Sequence, residues 1–145
     1  MYKRQGFTSS ELHFFFNAKL TAEEAIITGL FDHVYLKRKP TAAEQELVDL
    51  LMDYFDITSL KNRPFQQLST GEQRIMLLIR ALVKNPPLIL LDEPFQGFDL
   101  ATIQLAKDLL NGILSPQHTL VFITHYTREI PEIVAKRFVL GESGK

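Results

Sequence analysis

The chain has 145 residues, 16 Lys+Arg against 17 Asp+Glu, and no cysteine. Its length fits one compact domain, and its 46% hydrophobic and 23% charged residues exclude a disordered chain. A net charge of −1 gives no broad footprint for nucleic acid, and the absence of cysteine excludes disulfides and thiolate metal sites.

Residues 1–19 read as irregular and carry the aromatic run Phe14-Phe15-Phe16. Lys3 and Arg4 have no apolar stretch behind them, so the start does not look like a secretory signal. Residues 20–84 look helical. Thr21-Ala22-Glu23-Glu24 and Thr41-Ala42-Ala43-Glu44 each place a hydroxyl and a carboxylate three apart, the spacing of a capping box. After Thr41, the residues Leu47, Leu50, Leu51 and Tyr54 recur with helical period and predict one apolar face. A third helix is expected from about Ser69, with Ile75, Leu78, Ile79, Leu82 and Val83 on its apolar face and Asn85-Pro86-Pro87 as its stop.

Residues 85–145 alternate strand and helix. Leu88–Leu91 and Leu120–Ile123 read as strands buried on both faces, with a helix over 100–114 between them. A short helix with Pro131 in its first turn and a third strand over 137–140 complete the prediction. The pattern implies an α/β layer with parallel strands. No run approaches the ~18 apolar residues of a membrane span.

Four groups of residues could carry chemistry. Leu88-Ile89-Leu90-Leu91-Asp92-Glu93-Pro94 sets two carboxylates at the C-terminal end of a buried strand, where open α/β sheets bind ligands. In nucleotide hydrolases the first acid holds Mg²⁺, and an adjacent carboxylate can polarise water as general base. The plainer reading is a strand end followed by an acidic turn. Ser69 and Gly71 lie at a helix N-terminus suited to a terminal phosphate, while Ser69 and Glu72 equally form an ordinary capping box. Asp99, in Gln96-Gly97-Phe98-Asp99, could cap the next helix and nothing more. His125 follows the second strand and would project near Asp92 and Glu93 if those strands are neighbours, although a lone loop histidine is more often incidental.

In their order along the chain these groups resemble the ABC-type ATP-binding cassette family. Leu68–Glu72 is similar to its signature motif, Leu88–Glu93 to its Walker B strand with the catalytic Glu, Gln96–Asp99 to its D-loop, and His125 to its switch histidine. Residues 5–10 are similar to the approach to its Q-loop. Within the family, Phe7–His13, Arg80–Lys84 and Glu93–Gly97 resemble the second cassette of the soluble tandem ATPases associated with molybdate transport. Three positions depart from the pattern: Thr70 replaces a glycine, Ser10 stands at the Q-loop glutamine, and Glu72 replaces a glutamine.

The resemblance implies a P-loop NTPase-like partial cassette. Residues 1–19 would surround the Q-loop, 20–84 would form the helical subdomain, and 85–145 a parallel β/α half-core. It implies ATP and Mg²⁺ as ligands of the complete protein, with Asp92 organising Mg²⁺, Glu93 activating water and His125 contacting the γ-phosphate. Ser69, Gly71 and Glu72 would serve the nucleotide of a second cassette facing it head to tail, with Asp99 in the D-loop. Membrane permease subunits are a further implied partner. Such a chain is expected in the cytoplasm, peripheral to the inner membrane through a partner, without direct insertion and without nucleic acid.

None of the seven glycines sits in a phosphate-cradling G-x-x-x-x-G-K-[ST] pattern. Gly141-Glu142-Ser143-Gly144-Lys145 has the wrong spacing and reads as a tail. The expectation is therefore a C-terminal portion of a larger ATPase, inactive alone and self-associating through the open sheet. The competing expectation is a non-catalytic cassette remnant that binds protein or complements a partner.

Overall fold

In the computed structural model, residues 5–8, 16 and 19–141 are described. Strand β1 (Gln5–Thr8) precedes helices α1 (Ala22–Ile27), α2 (Ala42–Tyr54) and α3 (Thr70–Leu82). Strand β2 (Leu88–Asp92), helix α4 (Leu100–Ile113) and strand β3 (Thr119–Ile123) follow. The three strands form one parallel sheet in the order β1-β2-β3. Gln5 stands opposite Leu88 on one side, and Leu88 opposite Thr119 on the other.

Hydroxyl–carboxylate reciprocity starts all three helices of the middle part. Thr21 with Glu24, Thr41 with Glu44 and Ser69 with Glu72 each form a complete capping box. Each satisfies two backbone N–H groups that a helix start leaves free. Helix α1 runs into a 3₁₀ turn, Thr28–Phe31, which ends at Asp32 in the left-handed region.

Helix α3 is the hub. It is buried continuously from Ile75 through Val83, beyond the single apolar face expected, because α1 covers one side and the sheet another. Arg80 lies inside this run. Its guanidinium donates to Thr28 Oγ1 at 3.0 Å and to the His33 carbonyl at 2.7 Å, and sits over the Phe16 ring. Burial lowers its pKa to about 10.

Five sequence-based expectations are corrected. Residues 5–8 are not irregular: they form β1, where a Cβ on Gly6 would stand 2.1 Å from the Ala81 carbonyl oxygen, so glycine permits the approach of strand to helix. The buried stripe of α2 is Val48, Leu51 and Met52, continued by Phe55, while Leu47, Leu50 and Tyr54 are exposed. Pro131 does not open a helix. The only helical turn there is Thr127–Glu129, and Ile130 is extended, as a residue before proline prefers.

Residues 137–140 are not a strand, because among the described residues none pairs with the outer edge of β3. Phe138, Val139 and Leu140 are 87, 94 and 97% exposed. β3 is not buried on both faces either: Val121 and Ile123 are exposed, and in β2 only Ile89 and Leu91 are fully buried. Phe14, Phe15, Ser10, His13 and residues 142–145 lie outside the described residues. No helix among the described residues is long and apolar enough to cross a membrane.

Candidate functional site

The parallel register of β2 and β3 brings their C-terminal ends side by side, with Asp92 opposite Ile123. The Glu93 amide donates to the Ile123 carbonyl at 2.9 Å, continuing the ladder by one bond. The chain then turns sharply, with Glu93 at φ +47°, a left-handed conformation uncommon for a residue with a side chain. Thr124 and His125 leave β3 at the same level. His125 Nε2 thus comes to 3.2 Å from Glu93 Oε1, while the imidazole itself is largely in solvent.

Glu93 Oε1 is buried but makes no hydrogen bond, since the approach of His125 lacks hydrogen-bond alignment. A buried carboxylate oxygen without a donor is costly unless something supplies one. Beside it, the Asp92 carboxylate has no hydrogen bond or ion pair among the described residues. Among the described residues no cluster of three His, Cys, Asp or Glu side chains could hold a metal ion unaided. One carboxylate suits Mg²⁺, which keeps several waters and takes its remaining ligands from phosphate oxygens. Asp92 could serve as one such carboxylate.

The N-terminus of α3 forms the flank. Ser69 Oγ accepts from the Glu72 amide at 3.2 Å, and the Glu72 carboxylate accepts from the Ser69 amide at 2.7 Å. That bond holds the Glu72 carboxyl below its ordinary pKa. Gly71 meets the turn after β2: a Cβ there would lie 3.1 Å from the Gly97 carbonyl oxygen. Gly97 itself has φ +84°, where glycine is the natural residue. Asp99 caps α4 by accepting from the Thr102 amide at 2.7 Å, which keeps its carboxyl acidic.

Glu93 and His125 thus meet, with Asp92 next to Glu93 as the last residue of β2. Gly71, between Ser69 and Glu72, borders the turn that carries Gln96–Asp99. Both side chains of the Ser69–Glu72 pair are engaged with each other's backbone, and Asp99 is engaged as a cap.

Sequence reasoning missed Arg74, whose guanidinium donates to the Glu93 carbonyl at 3.1 Å and to Gln96 Oε1 at 2.7 Å. It also missed the buried Glu129, which accepts from Thr124 Oγ1 at 2.6 Å and braces the segment after β3. A single arginine in a helix and a single glutamate in a loop carry no periodic signal, and only the fold brings their partners near.

Residues 2–96 match the family model described as ABC transporter. The chain is 34% identical to the ABC transporter ATP-binding protein ModF of Escherichia coli, over 98% of this chain and 29% of ModF. It is 31% identical to the molybdate import ATP-binding protein MolC of Haemophilus influenzae, over 82% of this chain and 47% of MolC. Among solved structures it is similar to the dimeric post-hydrolysis state of the ATP-binding cassette MJ0796 bound to ADP and Pi. That match has a TM-score of 0.65 at 26% identity and covers 88% of this chain and 55% of the cassette. The chain therefore spans less than a third of ModF and about half of the shorter relatives. It has the α/β architecture of these cassettes and belongs to the ABC transporter family, as an ATP-binding cassette sequence related to ModF and MolC.

Proposed function

We propose that these residues are the C-terminal part of an ATP-binding cassette that, complete and paired with a second cassette, binds and hydrolyses MgATP in a transport system. The observation that carries this reading is the junction of β2 and β3. It brings His125 to 3.2 Å from a buried Glu93 carboxylate oxygen that makes no hydrogen bond, with Asp92 next to Glu93 at the end of β2. An attacking water would donate to that oxygen, with Glu93 as general base. Asp92 would hold Mg²⁺, which neutralises charge on the phosphates when bound. His125 would orient toward the γ-phosphate, a role its exposure permits. Ser69, Gly71 and Glu72 would face the nucleotide of the second cassette through the α3 N-terminus, and Asp99 would hold the D-loop against it. Catalysis would be mostly positioning and charge stabilisation.

The test is phosphate release by the protein as its gene encodes it, with and without Glu93→Gln. Hydrolysis abolished by Glu93→Gln is the expected result; hydrolysis untouched by it removes Glu93 from the reaction. These 145 residues alone are expected to release no phosphate, because no phosphate-cradling pattern lies within them. A cytoplasmic location, with membrane contact only through permease subunits, follows from the same reading.

A second reading has its own observation. The Ser69 and Glu72 side chains are already committed to capping, and apolar Val121 and Ile123 face outward. A non-catalytic module that binds protein through such surface would look the same. Titrating MgATP into the chain alone, and then mixed with a phosphate-loop-bearing fragment, separates the two. Binding only in the mixture supports the ATPase. Self-association of the chain through the open sheet is expected in light scattering, and a clean monomer over a wide concentration range would count against it.

A further inference from the structure

We propose that Arg74 is a positioning residue for Glu93: its guanidinium clamps the backbone turn after β2 and so sets the aim of the Glu93 carboxylate. The inference rests on the ATPase reading of the junction between β2 and β3.

The Glu93 carboxylate accepts no hydrogen bond among the described residues, and its one side-chain neighbour, His125 at 3.2 Å, is itself largely in solvent and holds it weakly. Its aim must come from the backbone that bears it. That backbone is in the left-handed region, at φ +47°, which is strained for a residue with a Cβ and persists only when surrounding contacts hold it. Two long-range contacts do so. The amide before the Glu93 Cα is tied to the Ile123 carbonyl at 2.9 Å. The carbonyl after it is tied to Arg74 Nη1 at 3.1 Å, while Arg74 Nη2 takes Gln96 Oε1 at 2.7 Å. The first bond ties Glu93 to β3, the second to α3.

The side chain suits the task. Two acceptors three residues apart on one turn match the planar fork of a guanidinium, and an ammonium reaches one of them at a time. Arg74 is half-buried, and that desolvation lowers its pKa, while Glu93 and Asp92 attract the cation. It remains charged throughout the neutral range. The close approach of Gly71 to Gly97 brings the start of α3 against the turn and keeps the reach short.

Two measurements test the inference. In the chain itself, hydrogen exchange of the Gln96 and Phe98 amides, which close the turn onto Glu93 and Phe95, is compared with that of the Ile79 and Leu110 amides. Arg74→Ala is expected to speed exchange in the turn at least ~10-fold and leave the two core amides unchanged; an unchanged turn overturns the inference.

In the gene's whole product, Arg74→Ala is expected to lower kcat ~10- to 100-fold, as misplacement by about an ångström does, with KM for MgATP within about twofold. Arg74→Lys should recover part of kcat. Wild-type kcat in Arg74→Ala, alongside loss in Glu93→Gln, overturns the positioning role and leaves the ATPase reading standing. No hydrolysis by the wild type overturns the ATPase reading and the catalytic part of this inference with it.

Discussion

The helical half and the far edge of the sheet obey opposite rules. From Leu20 to Val83 each helix starts on a complete capping box and turns its apolar stripe onto α3, so that even an arginine is enclosed. From Thr119 onward the apolar residues are still present, but Val121, Ile123, Phe138, Val139 and Leu140 face solvent. Hydrophobicity marks both stretches equally. The difference is a covering layer, which the helical half supplies for itself and the edge of β3 lacks among the described residues. The site lies between, at the junction of β2 with β3, so it takes rigidity from one side and openness from the other.

The largest expected effect separates the two directly. Phe65 is fully buried and packs on Phe16 with ring centroids 5.0 Å apart. Phe65→Ala should cost ~3–5 kcal/mol in denaturant unfolding. Phe138→Ala, in the exposed segment, should stay within ~0.5 kcal/mol. Similar losses at both positions would break the comparison.

A smaller effect sharpens it at the other sheet edge. β1 is an edge strand like β3, yet it packs on α3 through Gly6. Gly6→Ala would drive a methyl into the Ala81 carbonyl and should cost ~1–3 kcal/mol by the same measurement. A neutral result would mean that β1, like β3, is held only by its ladder.

The sequence announces what depends on neighbours along the chain and is silent on what depends on neighbours in space. Capping boxes are local, and Thr21–Glu24 and Thr41–Glu44 were legible as such. The strands of β2 and β3 were legible from short apolar runs. That Glu93 and His125 would meet followed once the strands were taken as adjacent. Residues 5–8 read as irregular with the rest of 1–19, because glycine in a strand and glycine in a loop look alike until Ala81 is placed above Gly6. In α2 two apolar stripes share the helical period, and periodicity cannot say which one the core will take. Residues 137–140 have strand composition, but a strand exists only where a partner offers its N–H and C=O groups.

At the site's flank the expected effect is about 1 kcal/mol. Ser69→Ala removes the cap of α3 and should destabilise by that amount in denaturant unfolding. The matching loss at α4, from Asp99→Ala, should be of similar size, since Asp99 caps it through Thr102. If Ser69→Ala is neutral for stability, the capping account of that hydroxyl fails.

The smallest effect is electrostatic, and it sets one carboxylate from each region side by side. Glu44 is gripped by the Arg38 fork at 2.7 and 2.8 Å and by the Thr41 amide at 2.7 Å, which hold its pKa at about 2. Glu132 is held equally low by Lys107 and Asn111, on the segment after β3. A folded-state pKa below the ordinary 4.5 means stabilisation that is full above that value and fades as pH falls toward 2. Glu44→Gln should therefore lower Tm at pH 6, with the gap to wild type closing between pH 4.5 and about 2. Glu132 has the same depressed pKa but lies where the chain passes from the buried Glu129 and Pro131 to the exposed residues 135–140, so local opening of that end releases it before the core melts. Glu132→Gln should leave Tm unchanged at both ends of the range, although carboxyl titration by NMR still reports a low pKa for Glu132. Equal Tm losses from the two substitutions would join the exposed segment to the cooperative core, and the openness of that edge would then be a property of its surface alone.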